Sequence, residues 1–162
     1  MKTKTYNVYK FDELPEESQQ KVLDNYRTRN VDYAWWEWTY EDAANVGIEI
    51  LSFDEYSLKA KFTESPKYTI FAIWSNHGKN CETYKTAQNA YADWRQLKKT
   101  RNLSPDEFEE EYEIWSDELL KSLSEDYRIM LRNECDFLTS DECLREFFTD
   151  SDDYFTLDGR ID

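Results

Sequence analysis

The chain has 162 residues, of which 40% are hydrophobic and 17% aromatic, a composition that predicts one sizeable core and a single domain over 1–162. Its formal net charge of -15 disfavours direct contact with nucleic acid or an anionic membrane surface. The longest apolar run, IFAIW from Ile70, is far short of the roughly 20 residues of a membrane span.

The first residues, MKTKTYNVYKF, lack the apolar region of a secretory signal, and the three cysteines (Cys81, Cys135, Cys143) are odd in number and widely spaced. A reduced, cytosolic setting is the expectation. Acidity is concentrated at one end: residues 1–103 balance 15 acids with 15 bases, whereas 104–162 carry 20 acids and 5 bases. Two causes are open at this point, a surface for a basic partner or a merely solvated helix face.

In chain order, TYNVYKF (5–11) alternates and predicts a strand. Pro15, Glu16 and Glu17 then open a helix with Val22, Leu23 and Tyr26 as its apolar stripe. The segment YAWWEWTY (33–40) holds five aromatic residues in eight. A helix over about 33–46 places Tyr33, Trp36, Tyr40, Ala43 and Ala44 on a core side, puts Trp35 and Trp38 on the other, and stops at Gly47. Trp35 and Trp38 are candidate partner contacts if both are exposed, because exposed tryptophans are frequent binding hot spots, and further core if both are buried against the sheet or another helix.

IEILSF and YSLKAKF alternate and predict a hairpin through Asp54 and Glu55. Ser65 and Pro66 cap and open a helix ended by Gly78, and a further helix carries Tyr84, Ala87, Ala90, Tyr91 and Trp94 before a basic end. Ser104, Pro105, Asp106 and Glu107 form the strongest helix start in the chain, and that helix runs towards Phe137 unless Ser124 caps a second one. Ser140 begins a short helix with Cys143, Leu144 and Phe147, and YFTLDG (154–159) reads as a strand returning to the sheet. The predicted fold class is α+β: an antiparallel sheet of about four strands covered by five or six helices.

Catalytic chemistry has few candidates. His77 and Cys81 invite a metal or thiol reading, but zinc wants about four ligands, and Cys135 and Cys143 stand at none of the usual ligand spacings. The three cysteines read as small buried hydrophobes, and no metal or cofactor is expected. Three glycines, at 47, 78 and 159, cannot build a phosphate-cradling loop. The cluster Arg95, Lys98, Lys99 and Arg101 reads as a helix C-terminus, not as a DNA footprint.

The acidic helix has more pattern. At ~100° per residue, Phe108, Tyr112, Trp115 and Leu119 share a stripe about 60° wide, while Asp106, Glu109, Glu110, Glu113 and Asp117 share a separate face about 100° wide. From Asp106 to Glu118 there are eight acids and no base, about one charge per 2.5 Å against about one per 1.7 Å in duplex DNA. The five carboxylates are candidate partner-binding residues.

The strings SFDEYSLKAKFTES, NHGKNCETYKTA, DYRIMLRNECDFLTSDECLREFF and YFTLDGRI, with WWE at Trp35, resemble a family of small acidic proteins encoded by bacteriophages and prophages, some provisionally called antitoxins. Pro15 stands where that pattern has a capping serine. The resemblance implies a bacterial cytoplasm during infection and carries no catalytic residues over. Together with the charge it leads to the expectation of a non-enzymatic anti-defence inhibitor, of the anti-CRISPR or anti-restriction kind, that mimics nucleic acid and occupies the basic groove of a host nuclease or effector. The alternatives are an antitoxin-like protein that neutralises a toxin directly, and a small hydrolase or nuclease with an unrecognised site.

Overall fold

A computed structural model describes residues 6–100 and 102–162. Its described residues form six α-helices, α1 (Glu16–Asn25), α2 (Glu37–Asn45), α3 (Pro66–Asn76), α4 (Glu82–Lys99), α5 (Pro105–Leu138) and α6 (Asp141–Asp150), and two strands, β1 (Ile48–Phe53) and β2 (Leu58–Phe62). The α+β class stands, but the sheet has two antiparallel strands and not four. Part of the first expected strand, Thr5, lies outside the described residues. The rest of it contributes one bridge, Tyr9 to Phe155, and passes into a 3-10 turn at Phe11–Glu13. Phe155 in YFTLDG also bridges to Ile161, so this segment closes on itself and on Tyr9 and adds no strand to β1 and β2.

The chain folds as two compact units, one made of residues up to Trp35 together with Asn133–Asp162, the other of Trp36–Arg132. In the first unit, Phe11, Leu14, Val22, Leu23, Leu144, Phe148 and Phe155 are buried together. The rings of Phe11, Phe148 and Phe155 pack pairwise at 5.5–6.1 Å between centroids, in the tilted and edge-on geometries that aromatic quadrupoles favour. Pro15 sits at the N-cap of α1, one residue before the helix, and its carbonyl accepts from Ser18 and Gln19 N–H. A serine hydroxyl is dispensable there because Glu16 and Glu17 supply the negative charge the helix N-terminus favours.

The second unit is built on the hairpin. Ile48 and Ile50 of β1 point into a core with Val46, Ile70, Ile73, Ala87, Leu119 and Leu123, while Glu49 pairs with Lys61 on the open face at 2.7 Å. The turn works without glycine because the Asp54 carboxylate accepts from Tyr56 N–H, Ser57 N–H and Ser57 Oγ. Three backbone and hydroxyl donors also hold that carboxyl below its ordinary range, led by Tyr56 N–H. Ser65 caps α3 by accepting from Tyr68 N–H, as its sequence predicts. α5 runs unbroken through Ser124 for 34 residues, about 50 Å. Its buried residues, Trp115, Leu119, Leu123, Tyr127 and Leu131, recur every four residues, and no competing stop signal interrupts them.

The aromatic segment departs from its helical reading. α2 begins only at Glu37, after bends at 32–33 and a turn at 35–36, so the helical phase does not extend back to Tyr33. Tyr33 is 61% exposed rather than core, and Ala44 is exposed too. Trp36 and Tyr40 are half-buried, each edge-on to Phe53 of the hairpin at 6.0 and 6.1 Å, and Ala43 is fully buried.

Gly159 sets a sharp test of the first unit. Its φ is +79°, and an added Cβ would come within 2.8 Å of the Lys21 and Val22 backbone of α1. Gly159→Ala is expected to destabilise the protein by about 2 kcal/mol or more, read as a drop in urea midpoint, because neither backbone can yield cheaply.

Candidate functional site

The chain's single histidine lies at the centre of a polar cluster in the second unit. His77 is the C-cap of α3, its N–H donating to Ile73 O, and its side chain turns inward with 7% of its surface exposed. Its Nδ1 is 2.7 Å from Thr83 Oγ1 near the start of α4. Its Nε2 is 3.3 Å from Asp42 Oδ2 of α2, inside ion-pair range but out of line for a hydrogen bond. The Tyr127 hydroxyl of α5 donates to the same Asp42 oxygen at 3.0 Å. The His77 imidazole first, and the Tyr127 phenol after it, hold the Asp42 carboxyl below its usual 3.8 against the opposing push of burial. Burial, reinforced by Asp42, drives the Tyr127 phenol upward.

Acid, imidazole and hydroxyl in sequence are the parts of a nucleophilic relay, yet Thr83 is only 2% exposed. A hydroxyl sealed in the core cannot reach a substrate, so the cluster's geometry serves to tie α2, α3, α4 and α5 together. Cys81, four residues on from His77, is exposed and not the buried hydrophobe its sequence context suggests, because it precedes α4 as the N-cap residue. Cys135 and Cys143 are half-buried, and Cys143 Sγ accepts from the buried Asn30 amide at 3.4 Å. Among the described residues no group of three or more His, Cys, Asp and Glu side chains is arranged to hold a metal, and no helix is long and apolar enough to cross a membrane.

The first half of α5 presents a different kind of surface. Ser104 and Glu107 form a reciprocal cap, Ser104 N–H donating to Glu107 Oε2 at 2.7 Å and Glu107 N–H to Ser104 Oγ at 3.3 Å, which fixes where the helix starts. The Ser104 N–H first, then its hydroxyl, lower the Glu107 carboxyl. With that start fixed, Trp115 and Leu119 turn into the core, Phe108 and Tyr112 are half-buried, and Trp115 Nε1 donates to Ala90 O of α4 at 2.8 Å. Asp106, Glu109, Glu110, Glu113 and Asp117 are all exposed. None of the five is ion-paired with a described residue. The row is thus open to solvent, with no ion pair to any described residue along its length.

The two tryptophan candidates separate. Trp38, in the first turn of α2, is 81% exposed, whereas Trp35, in the turn before the helix, is half-buried. Trp35 falls in one unit and Trp38 in the other. A further feature escaped the sequence reading: a groove of about 580 Å³ where α4 turns into α5, lined by Thr100, Leu103, Ser104, Pro105, Phe108, Glu109 and Tyr112. Its signal was present in LSPDEF, where Leu103 and Phe108 occupy the two positions that flank a helix cap as a hydrophobic staple.

Comparison with protein-family models, with curated proteins and with solved structures finds no match to this chain. The functional reading therefore stands on the surfaces just described.

The Asp42 cluster makes a pH prediction. A carboxyl whose folded pKa is depressed adds stability above its unfolded pKa and loses it as pH falls through the folded value. Asp42→Asn should therefore lower the urea midpoint at pH 7, and the gap between the variant and the parent should shrink towards pH 3.

Proposed function

We propose that the protein is a non-enzymatic inhibitor that binds a basic, nucleic-acid-handling protein through the exposed carboxylate row of α5, in the manner of an anti-CRISPR or anti-restriction nucleic-acid mimic. The observation that carries this reading is the combination of density and exposure: eight acids and no base from Asp106 to Glu118, with the five on the outer face free of ion pairs to described residues. Like charges at helical i, i+4 spacing oppose folding, so a row that a globular helix does not need for solubility costs stability wherever it is kept. Acids in the first turn are offset by the helix dipole, but Glu113 and Asp117 lie two and three turns further on and receive little of that benefit.

A groove that binds nucleic acid offers cations at phosphate spacing, and carboxylates about 2.5 Å apart along the axis approach the charge density of duplex DNA, about one per 1.7 Å. The helix supplies rigidity, because its opposite stripe is anchored in the core by Trp115 and Leu119. Binding by such a surface speeds association and weakens steeply with salt. The resemblance to phage-encoded proteins supplies the setting, an infected bacterial cell. Trp38 is a second contact residue, offering a large exposed aromatic surface at the start of α2.

The test is a fivefold neutralisation. Replacing Asp106, Glu109, Glu110, Glu113 and Asp117 with Asn or Gln leaves the buried stripe intact, so the fold should persist. Binding to a basic host protein captured from phage-host lysate, and competition with DNA for it, should collapse. Five neutralisations at Glu16, Glu17, Asp24, Glu41 and Glu49 provide the comparison and should do far less. Equal loss from both sets would assign the effect to overall charge, and no loss from either would end the mimic reading.

A further inference from the structure

The groove at the start of α5 adds a property that a nucleic-acid mimic does not need. Leu103, Pro105, Phe108 and Tyr112 give it an apolar lining, and Glu109 stands on its rim. Glu109 is also a member of the carboxylate row, and on the helical projection Glu113 and Asp106 follow it on the same face. Apolar floor and anionic edge are therefore continuous. Phe108 is only half-buried and is not among the residues packed against the core of the second unit, unlike its stripe neighbours Tyr112 and Trp115. Of the two lysines that end α4, Lys98 has its ammonium over the Trp94 ring at 4.5 Å.

From this geometry we infer that the groove receives an apolar side chain from a basic amphipathic segment of the partner, whose cations lie along Glu109, Glu113 and Asp106. Charge complementarity selects the sign of the segment, and the apolar lining selects its amphipathic character. A surface that tracks phosphates presents chiefly cations and hydrogen-bond donors, whereas an amphipathic basic segment presents an apolar anchor beside its lysines and arginines. The inference rests on the proposed function for its basic partner, and it changes the expected salt response. Carboxylate contacts fade as ions screen them, but burial of an apolar side chain does not, so part of the affinity survives at high salt.

Two fluorescein-labelled 18-residue peptides of equal positive charge test this on the full chain, one of leucine and lysine patterned as an amphipathic helix, the other of glycine and lysine. The leucine peptide should bind more tightly and keep measurable affinity at about 1 M salt, where the Debye length is about 3 Å, while the glycine peptide should be released. Phe108→Asn and Leu103→Ser should each weaken the leucine peptide about tenfold, as expected for loss of one buried apolar contact, and leave the glycine peptide unchanged. Leu103 lies outside α5, so the Ser104–Glu107 cap remains in that variant even if Phe108→Asn loosens the first turn. Equal binding of both peptides, insensitive to Leu103→Ser, overturns the groove and leaves the carboxylate row standing. Failure of both peptides to bind overturns the groove and the row together.

Discussion

The burial of one side of α5 is the constraint on which the second unit depends. Trp115, Leu119, Leu123 and Tyr127 enter the same core as Ile48 and Ile50 of the hairpin, Ile70 and Ile73 of α3, and Ala87 and Ala90 of α4. A two-stranded hairpin is marginal by itself in water, so the strands persist because helices cover their inner face. Polar links fix the arrangement that apolar packing leaves loose. The Trp115 indole is tied to the Ala90 carbonyl, and the Tyr127 hydroxyl to the Asp42 carboxylate that His77 also approaches. Each link satisfies a group whose burial would otherwise cost roughly 1–3 kcal/mol.

Rigidity in that core is what allows the outer face of the same helix to be so acidic. An isolated helix bearing eight acids and no base from Asp106 to Glu118 would fray, since each like-charged pair one turn apart opposes it by a few tenths of a kcal/mol. Packing of the opposite stripe outweighs this, because a buried leucine or aromatic side chain contributes about 1.5–3 kcal/mol. The cap at Ser104 and Glu107 contributes at the end where fraying would begin. Stability and surface charge are thus carried by two faces of one element, and the outer face is free to vary without disturbing the inner.

Local signals were the legible part of the sequence. Ser65 and Ser104 cap their helices as serine followed by proline suggests, and the alternation in IEILSF and LKAKF gives the two strands. The outward phase of Asp106, Glu109, Glu110, Glu113 and Asp117 also follows from periodicity, because α5 is long and regular. What was not legible depended on where an element begins or on what meets it from afar. A helical phase extended back from α2 puts Tyr33 in the core, but a turn at 35–36 precedes the helix, which begins only at Glu37. YFTLDG looks like a strand because β-formers alternate there, but it finds only Tyr9 and Ile161 as partners. The cluster around His77 draws residues from four separate segments, and no spacing in the chain announces such a meeting.

The uncompensated row has a thermodynamic consequence before any partner arrives. Two unit charges in water interact by about RT at a separation near 7 Å, and the acids of α5 stand about 2.5 Å apart along its axis. Mobile cations must gather along such a line to reduce its potential, as they do around duplex DNA. A polycation binding there would take their place and set them free. The driving force of such an association would lie largely in the entropy of small ions, with little heat released, a capacity stored in the ion atmosphere of the helix rather than in its own bonds.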